Sequence, residues 1–200
     1  MSDVPPVVVA FPPAPASESL QEEVERLRAE VARLTRRLAE VELIADRDPL
    51  TPALNRRAFV RELSRALAFQ ARYGGEAAVI YFDLDGLKRL NDAYGHAAGD
   101  AAIQQVTAVL VDGVRESDVV GRLGGDEFAV LLARAPLEDA RAKAAGLARA
   151  VAADPLVHGG RALPLSVSYG VRALEPGCDA ARVLAEADAA MYVAKAARRG

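Results

Sequence analysis

"EAAVIYFDLD", residues 76–85, is an unbroken apolar run that ends in acids. Val79, Ile80, Tyr81 and Phe82 are β-branched or aromatic, which predicts a central strand buried on both faces. Asp83 and Asp85 close the strand two residues apart and share one of its faces. A helix precedes the strand, with Phe59, Leu63, Ala66 and Leu67 on one side. Asn55 caps its start, and Gly74-Gly75 stops it. Two helices follow, the second carrying Ile103, Val106, Leu110 and Val114. Next come a strand, a Gly-Gly turn and a strand across 118–133, a helix over 137–152, a strand over 163–172 and a helix over 180–197. The order α-β-α-α-β-β-α-β-α predicts an α+β fold with a ferredoxin-like βαββαβ core, a central mixed sheet flanked by helices.

Upstream the pattern changes. Residues 1–17 hold five of the eleven prolines and read as a disordered tail. Over 18–45, Leu20, Val24, Leu27, Val31, Leu34, Leu38, Val41 and Ala45 follow unbroken steps of four and three. Val24 and Val31 fall at heptad position a and Leu27 and Leu34 at d, the choice that favours a parallel two-stranded coiled coil. Glu23 is placed to meet Arg28 of a partner helix, and Arg37 to meet Glu42. Residues 18–45 are therefore expected to make a homodimer, and 46–200 to form the folded domain.

Composition narrows the function classes. The 200 residues are 52% hydrophobic with a net charge of −3, so the chain has a real core and no basic footprint for nucleic acid or membrane. No apolar run approaches the ~20 residues of a membrane span. "MSDVPPVVVAFPPAPAS" lacks the features of a signal peptide, and Cys178 is the one cysteine, so the expected location is cytoplasmic.

The chemistry resides in the hairpin "GRLGGDEFAV", 121–130. With its strands beside 76–85, Asp126 and Glu127 arrive next to Asp83. Carboxylates gathered in this way need a cation or a raised pKa. Oxygen donors without a cysteine or histidine cluster suit Mg²⁺ or Mn²⁺. Gly124 and Gly125 let a phosphorylated ligand lie against bare backbone. Metal-assisted phosphoryl chemistry on a nucleotide follows.

These residues resemble the GGDEF family, the diguanylate cyclases. "GGDEF" (124–128) matches its signature, and "DPLTPALNRRAF" (48–59), "DLDGLKRLNDAYGHAAGD" (83–100), "LSVSYGV" (165–171) and "ADAAMYVAKAARRG" (187–200) match further motifs in collinear order. The resemblance implies a palm-type domain that joins two GTP into cyclic di-GMP and releases two pyrophosphates. It implies metal ions on Asp83, the Leu84 carbonyl and Asp126 or Glu127. One of those two hairpin acids is the base for the 3′-hydroxyl, and the sequence leaves open which. It implies guanine recognition by Asn91 and Asp100, and triphosphate neutralisation by Lys88, Lys195 and Arg199. His96 either touches substrate or holds its loop. "RESD", 115–118, implies a product-inhibition site on Arg115 and Asp118. Pro52, Ala53, Leu87, Arg198 and Gly200 depart from the family pattern without removing any of these groups. The rival readings are a cyclic di-GMP receptor, a scaffold built on the coil and tail, and a cyclase for a mixed purine dinucleotide.

Overall fold

The structure, a computed structural model, describes residues 17–197, and within the first helix it describes the side chains of residues 20–35, 37 and 46. The expected tail over 1–17 lies outside the described residues, except Ser17, which opens that helix. The chain divides into two units, residues 1–45 and 46–200.

The first unit is carried by helix α1 (Ser17–Asp46). Leu20, Val24, Leu27, Val31 and Leu34 are all exposed on it, so among the described residues the heptad stripe is left open. Its charges pair along the helix. Arg26 bonds Glu23, Arg28 bonds Glu25 and Arg33 bonds Glu30, each three residues apart. The expected reach of Glu23 to Arg28 of a second helix thus competes with these local pairs. The side chains of Leu38, Val41, Glu42 and Ala45 lie outside the described residues.

The second unit runs β1 (Leu54–Asn55), α2 (Arg56–Tyr73), β2 (Ala78–Leu84), α3 (Leu87–Tyr94), α4 (His96–Asp112), β3 (Val119–Arg122), β4 (Glu127–Leu132), α5 (Leu137–Ala153), β5 (Leu156–His158), β6 (Arg161–Leu163), β7 (Val167–Ala173) and α6 (Ala180–Ala197). Five strands form one sheet in the order β1-β3-β4-β2-β7. β1 lies parallel to β3, and every other neighbouring pair is antiparallel. The four strands β3-β4-β2-β7 carry the ferredoxin-like order, and the parallel edge strand makes the sheet mixed.

The expected helix limits hold closely. The Asn55 side chain accepts from the Ala58 amide at 3.0 Å, as an N-cap should, and Gly74 ends α2 with φ 71°. Two features escaped the pattern. The two-residue strand β1 is too short to show a period. The expected strand over 163–172 is divided: Leu163 ends the separate β5–β6 hairpin, and the central sheet resumes at Val167. Pro164 lies in the break, where it has no amide to give to a ladder.

β2 sorts its side chains by parity. Ala78, Ile80, Phe82 and Leu84 enter one core with α4 and α5, while Val79 and Tyr81 enter the other with α2 and α6. The same alternation puts Asp83 on the α6 side, at the strand's end.

Candidate active site

The acidic end of β2 is built by the sheet register. Asp83 pairs directly with Glu127 of β4 on one side and with Ser168 of β7 on the other. The Leu84 amide donates to the Asp126 carbonyl at 2.9 Å, so the hairpin turn is tied to the strand end by backbone. Lys195 of α6 donates to Asp83 and lies 3.5 Å from Asp85. Asp85 accepts from the Ser168 hydroxyl at 2.9 Å and from the Ser166 hydroxyl at 3.2 Å. Asp83 and Lys195 thus stand beside the hairpin that carries Asp126 and Glu127.

The adjacent hairpin acids face different spaces. Asp126 lines a cavity of about 470 Å³ with Asp83, Leu84, Lys88, Arg89 and Lys195. Glu127 lines another of about 580 Å³ with Asp83, Asp188, Tyr192 and Lys195. Alternation along β4 is the reason: Ala129 and Leu131 belong to the α6-side core, and Glu127 shares their parity. Tyr81 lies one step along the same face of β2, and burial first, then the Glu127 carboxylate as hydrogen-bond acceptor, push its phenol up. Tyr81 carried no motif signal, and Asp188 lay within the 187–200 motif without being singled out, because their place beside Glu127 comes from the pairing of β2 with β4 and the packing of α6.

Electrostatics mark Asp83. Burial pushes its carboxyl above the ordinary 3.8; the Lys195 ammonium opposes this, and the charges of Asp126 and Asp85 reinforce it. Burial pulls Lys195 down, but Asp83 and Asp85 outweigh it and hold the ammonium above its ordinary value.

Among the described residues no three His, Cys, Asp or Glu side chains are grouped to hold a metal ion. The donors around the Asp126 cavity are two carboxylates, Asp83 and Asp126, with Leu84 beside them. That set fits a hard divalent cation that takes a few protein oxygens and completes its shell elsewhere.

Gly124 acts through close approach, and neither it nor Gly125 has a positive φ. A Cβ on Gly124 would lie 2.5 Å from Glu127 Oε2, whereas Gly125 opens into free space. Asn91 lies in the α3–α4 seam with its Oδ1 buried and without a hydrogen-bond partner. It presses on Gly99, where a Cβ would overlap it, and so stands next to Asp100. Asp100, His96 and Lys88 are exposed, His96 as the first residue of α4. Asn91, His96 and Asp100 are not in the wall of the Asp126 cavity. Arg199 lies outside the described residues.

"RESD" forms the turn before β3. Asp118 accepts from the Arg115 amide at 3.0 Å and from the Ala133 amide at 3.1 Å, so its carboxylate is used to hold the turn to the end of β4. The Arg115 side chain is exposed.

Residues 45–200 match the family model described as diguanylate cyclase, GGDEF domain. The chain belongs to the GGDEF domain family. It is 34% identical over 182 residues to the diguanylate cyclase DgcP of Pseudomonas aeruginosa, covering 91% of this chain and 27% of DgcP. It is 38% identical over 181 residues to the diguanylate cyclase TpbB of the same organism, covering 88% of this chain and 41% of TpbB. The chain therefore spans less than half the length of these relatives. Among solved structures, the coiled coil and GGDEF domain of DgcB from Caulobacter crescentus, in complex with c-di-GMP, superposes with a TM-score of 0.78 at 30% identity. It covers 90% of this chain and 95% of that one. Among the described residues no helix is long and apolar enough to cross a membrane.

Proposed function

We propose that this protein is a diguanylate cyclase that condenses two GTP into cyclic di-GMP across two antiparallel half-sites. The observation that carries this reading is the meeting of Asp83, Asp126, Lys88 and Lys195 in one cavity at the acidic end of β2. The two acids suit a divalent cation, and the cationic side chains of Lys88, Arg89 and Lys195 suit the triphosphate it would carry.

Asp83, the Leu84 carbonyl and Asp126 would hold Mg²⁺ or Mn²⁺, which supplies Lewis-acid polarisation of the phosphate oxygens. Lys88 and Lys195 neutralise phosphate charge, and Lys195 would shift from Asp83 toward the triphosphate as it binds. Asn91 and Asp100 read guanine. The orphaned Asn91 Oδ1 needs a donor, and an Asp100 carboxylate accepts from guanine N1–H and the 2-amino group together, which adenine cannot offer. Asp126, which faces the cavity that Lys88 lines, is the hairpin acid better placed to take the 3′-hydroxyl proton. Glu127 belongs to the cavity on the other side. Each 3′-oxygen then bonds the α-phosphorus of the other GTP, as the bond from that phosphorus to pyrophosphate breaks.

Each domain holds one GTP, so a monomer is half an enzyme. The exposed heptad stripe of α1 would supply the homodimer and raise the effective concentration of the second site. Arg115 and Asp118 would bind product and inhibit, the guanidinium forking onto phosphate or guanine.

Incubation of the purified protein with GTP and Mg²⁺, with nucleotides resolved by chromatography, tests the reading. Cyclic di-GMP and pyrophosphate are expected, and Asp126→Ala should abolish both while leaving the fold intact. Tight cyclic di-GMP binding without turnover would replace the cyclase with a receptor. Retained activity in Asp126→Ala would overturn the site assignment.

A further inference from the structure

We infer that Arg122 is a positioning residue that sets the Gly124–Gly125 turn, and with it Asp126, from an anchor on Asp48. The inference deepens the cyclase reading and rests on it for what the turn does.

Arg122 ends β3, and its side chain folds forward under the turn rather than out to solvent. Its Nε donates to the Gly124 carbonyl at 3.1 Å and to the Gly125 carbonyl at 3.2 Å, and one terminal nitrogen donates to the Gly125 carbonyl at 2.9 Å. The other terminal nitrogen reaches both Asp48 oxygens, at 3.1 and 3.3 Å. All three guanidinium nitrogens are thus used. The two side chains are 14% and 11% exposed, so water competes little for these bonds. A lysine has one nitrogen and no fork, and it could not serve both ends at once.

Asp48 is itself held. Its Oδ1 accepts from the Leu50 amide at 3.2 Å and from the Thr51 hydroxyl at 2.9 Å, and its amide donates to the Ala53 carbonyl at 3.0 Å. The anchor is a closed turn, and it begins two residues after α1 ends. Gly124 and Gly125 have no side chains with which to fix their own carbonyls. A turn of two glycines ahead of a catalytic acid would otherwise be the loosest point of the site. Arg56 adds a weaker contact to the Leu123 carbonyl at 3.4 Å, from the first residue of α2.

The test uses the full chain and three variants, Arg122→Gln, Arg122→Lys and Asp48→Asn. Asp48→Asn keeps the shape of the anchor and removes its charge, so it serves if the arginine variants fold poorly. Amide hydrogen exchange over 121–127, without nucleotide or metal, is expected to quicken about tenfold in each variant, while exchange in the core of β2 stays near that of the wild type. With GTP, kcat is expected to fall about 10- to 100-fold, as for a catalytic group displaced by about 1 Å, with KM within about twofold. The double variant Arg122→Gln/Asp48→Asn should be no worse than the more severe single one, because the pair acts as one unit. Unchanged exchange at the turn would overturn the inference. So would a lower Tm with kcat of the folded enzyme intact, since Arg122 would then be a stability contact only. A wild type without GTP turnover strikes the cyclase reading, and the exchange experiment still decides whether Arg122 sets the turn.

Discussion

Asp83 carries the electrostatic tension of the site. It sits at the end of a buried strand, faces Glu127 across the sheet, and has one ammonium group, Lys195, against the neighbouring charges of Asp85 and Asp126. A carboxyl whose pKa is raised by folding binds more protons in the native state than in the unfolded one. Its stabilising share is complete below the ordinary value of 3.8 and is lost as pH rises through the raised native value. Asp83→Asn, which mimics the protonated acid, should therefore match the wild type in Tm near pH 3.5 and exceed it at pH 7 in metal-free buffer. Equal Tm values across that range would mean that Lys195 fully compensates the burial. The same substitution should end turnover, which is the usual relation between a strained site and its chemistry.

At the scale of elements, α6 matters because it delivers Lys195. Its approach to β7 is set by Gly170, where a Cβ would overlap the Ala187 carbonyl oxygen and the Met191 amide nitrogen. These are backbone atoms, so no rotamer change relieves the overlap. Gly170→Ala should cost about 1–3 kcal/mol by thermal or urea unfolding and lower activity as well, because α6 must shift with its lysine. The turn before β3 gives a second case. Asp118 holds backbone amides on both sides of it, whereas the Arg115 side chain is exposed. Arg115→Ala should relieve product inhibition with little change in Tm, and Asp118→Ala should disturb both. Inhibition constants beside melting curves separate these outcomes, and unchanged inhibition in Arg115→Ala would remove the proposed product site.

For the whole molecule the question is how the two half-sites of the proposed cyclase would meet. The exposed stripe from Leu20 to Leu34 is left open among the described residues, while the second unit has its two cores on either face of one sheet. Residues 46–200 should therefore fold without residues 1–45. If α1 pairs as proposed, loss of 1–45 removes the gain in effective concentration, and specific activity should fall most at low enzyme concentration. A truncated protein with the same specific activity at every dilution would take that role from the helix.

Local pattern carried most of the fold. The continuous run of β2, the Asn55 cap, the Gly74 stop and the Gly-Gly hairpin are each set by neighbours in sequence, and the alternation of helices and strands then admits few topologies. The signature motifs likewise singled out Asp83, Asp126, Glu127 and Lys195 as candidates. What the sequence alone could not supply depends on contacts between distant segments. Asp126 and Glu127 are adjacent in the chain, yet they face different cavities, because the pairing of β4 with β2 decides which side of the sheet each one meets. Tyr81 beside Glu127, Asn91 pressed on Gly99, and Arg122 bound to Asp48 across 74 residues have no period or spacing to betray them. Short-range physics is written in order along the chain, and these partners are chosen only when packing closes the sheet.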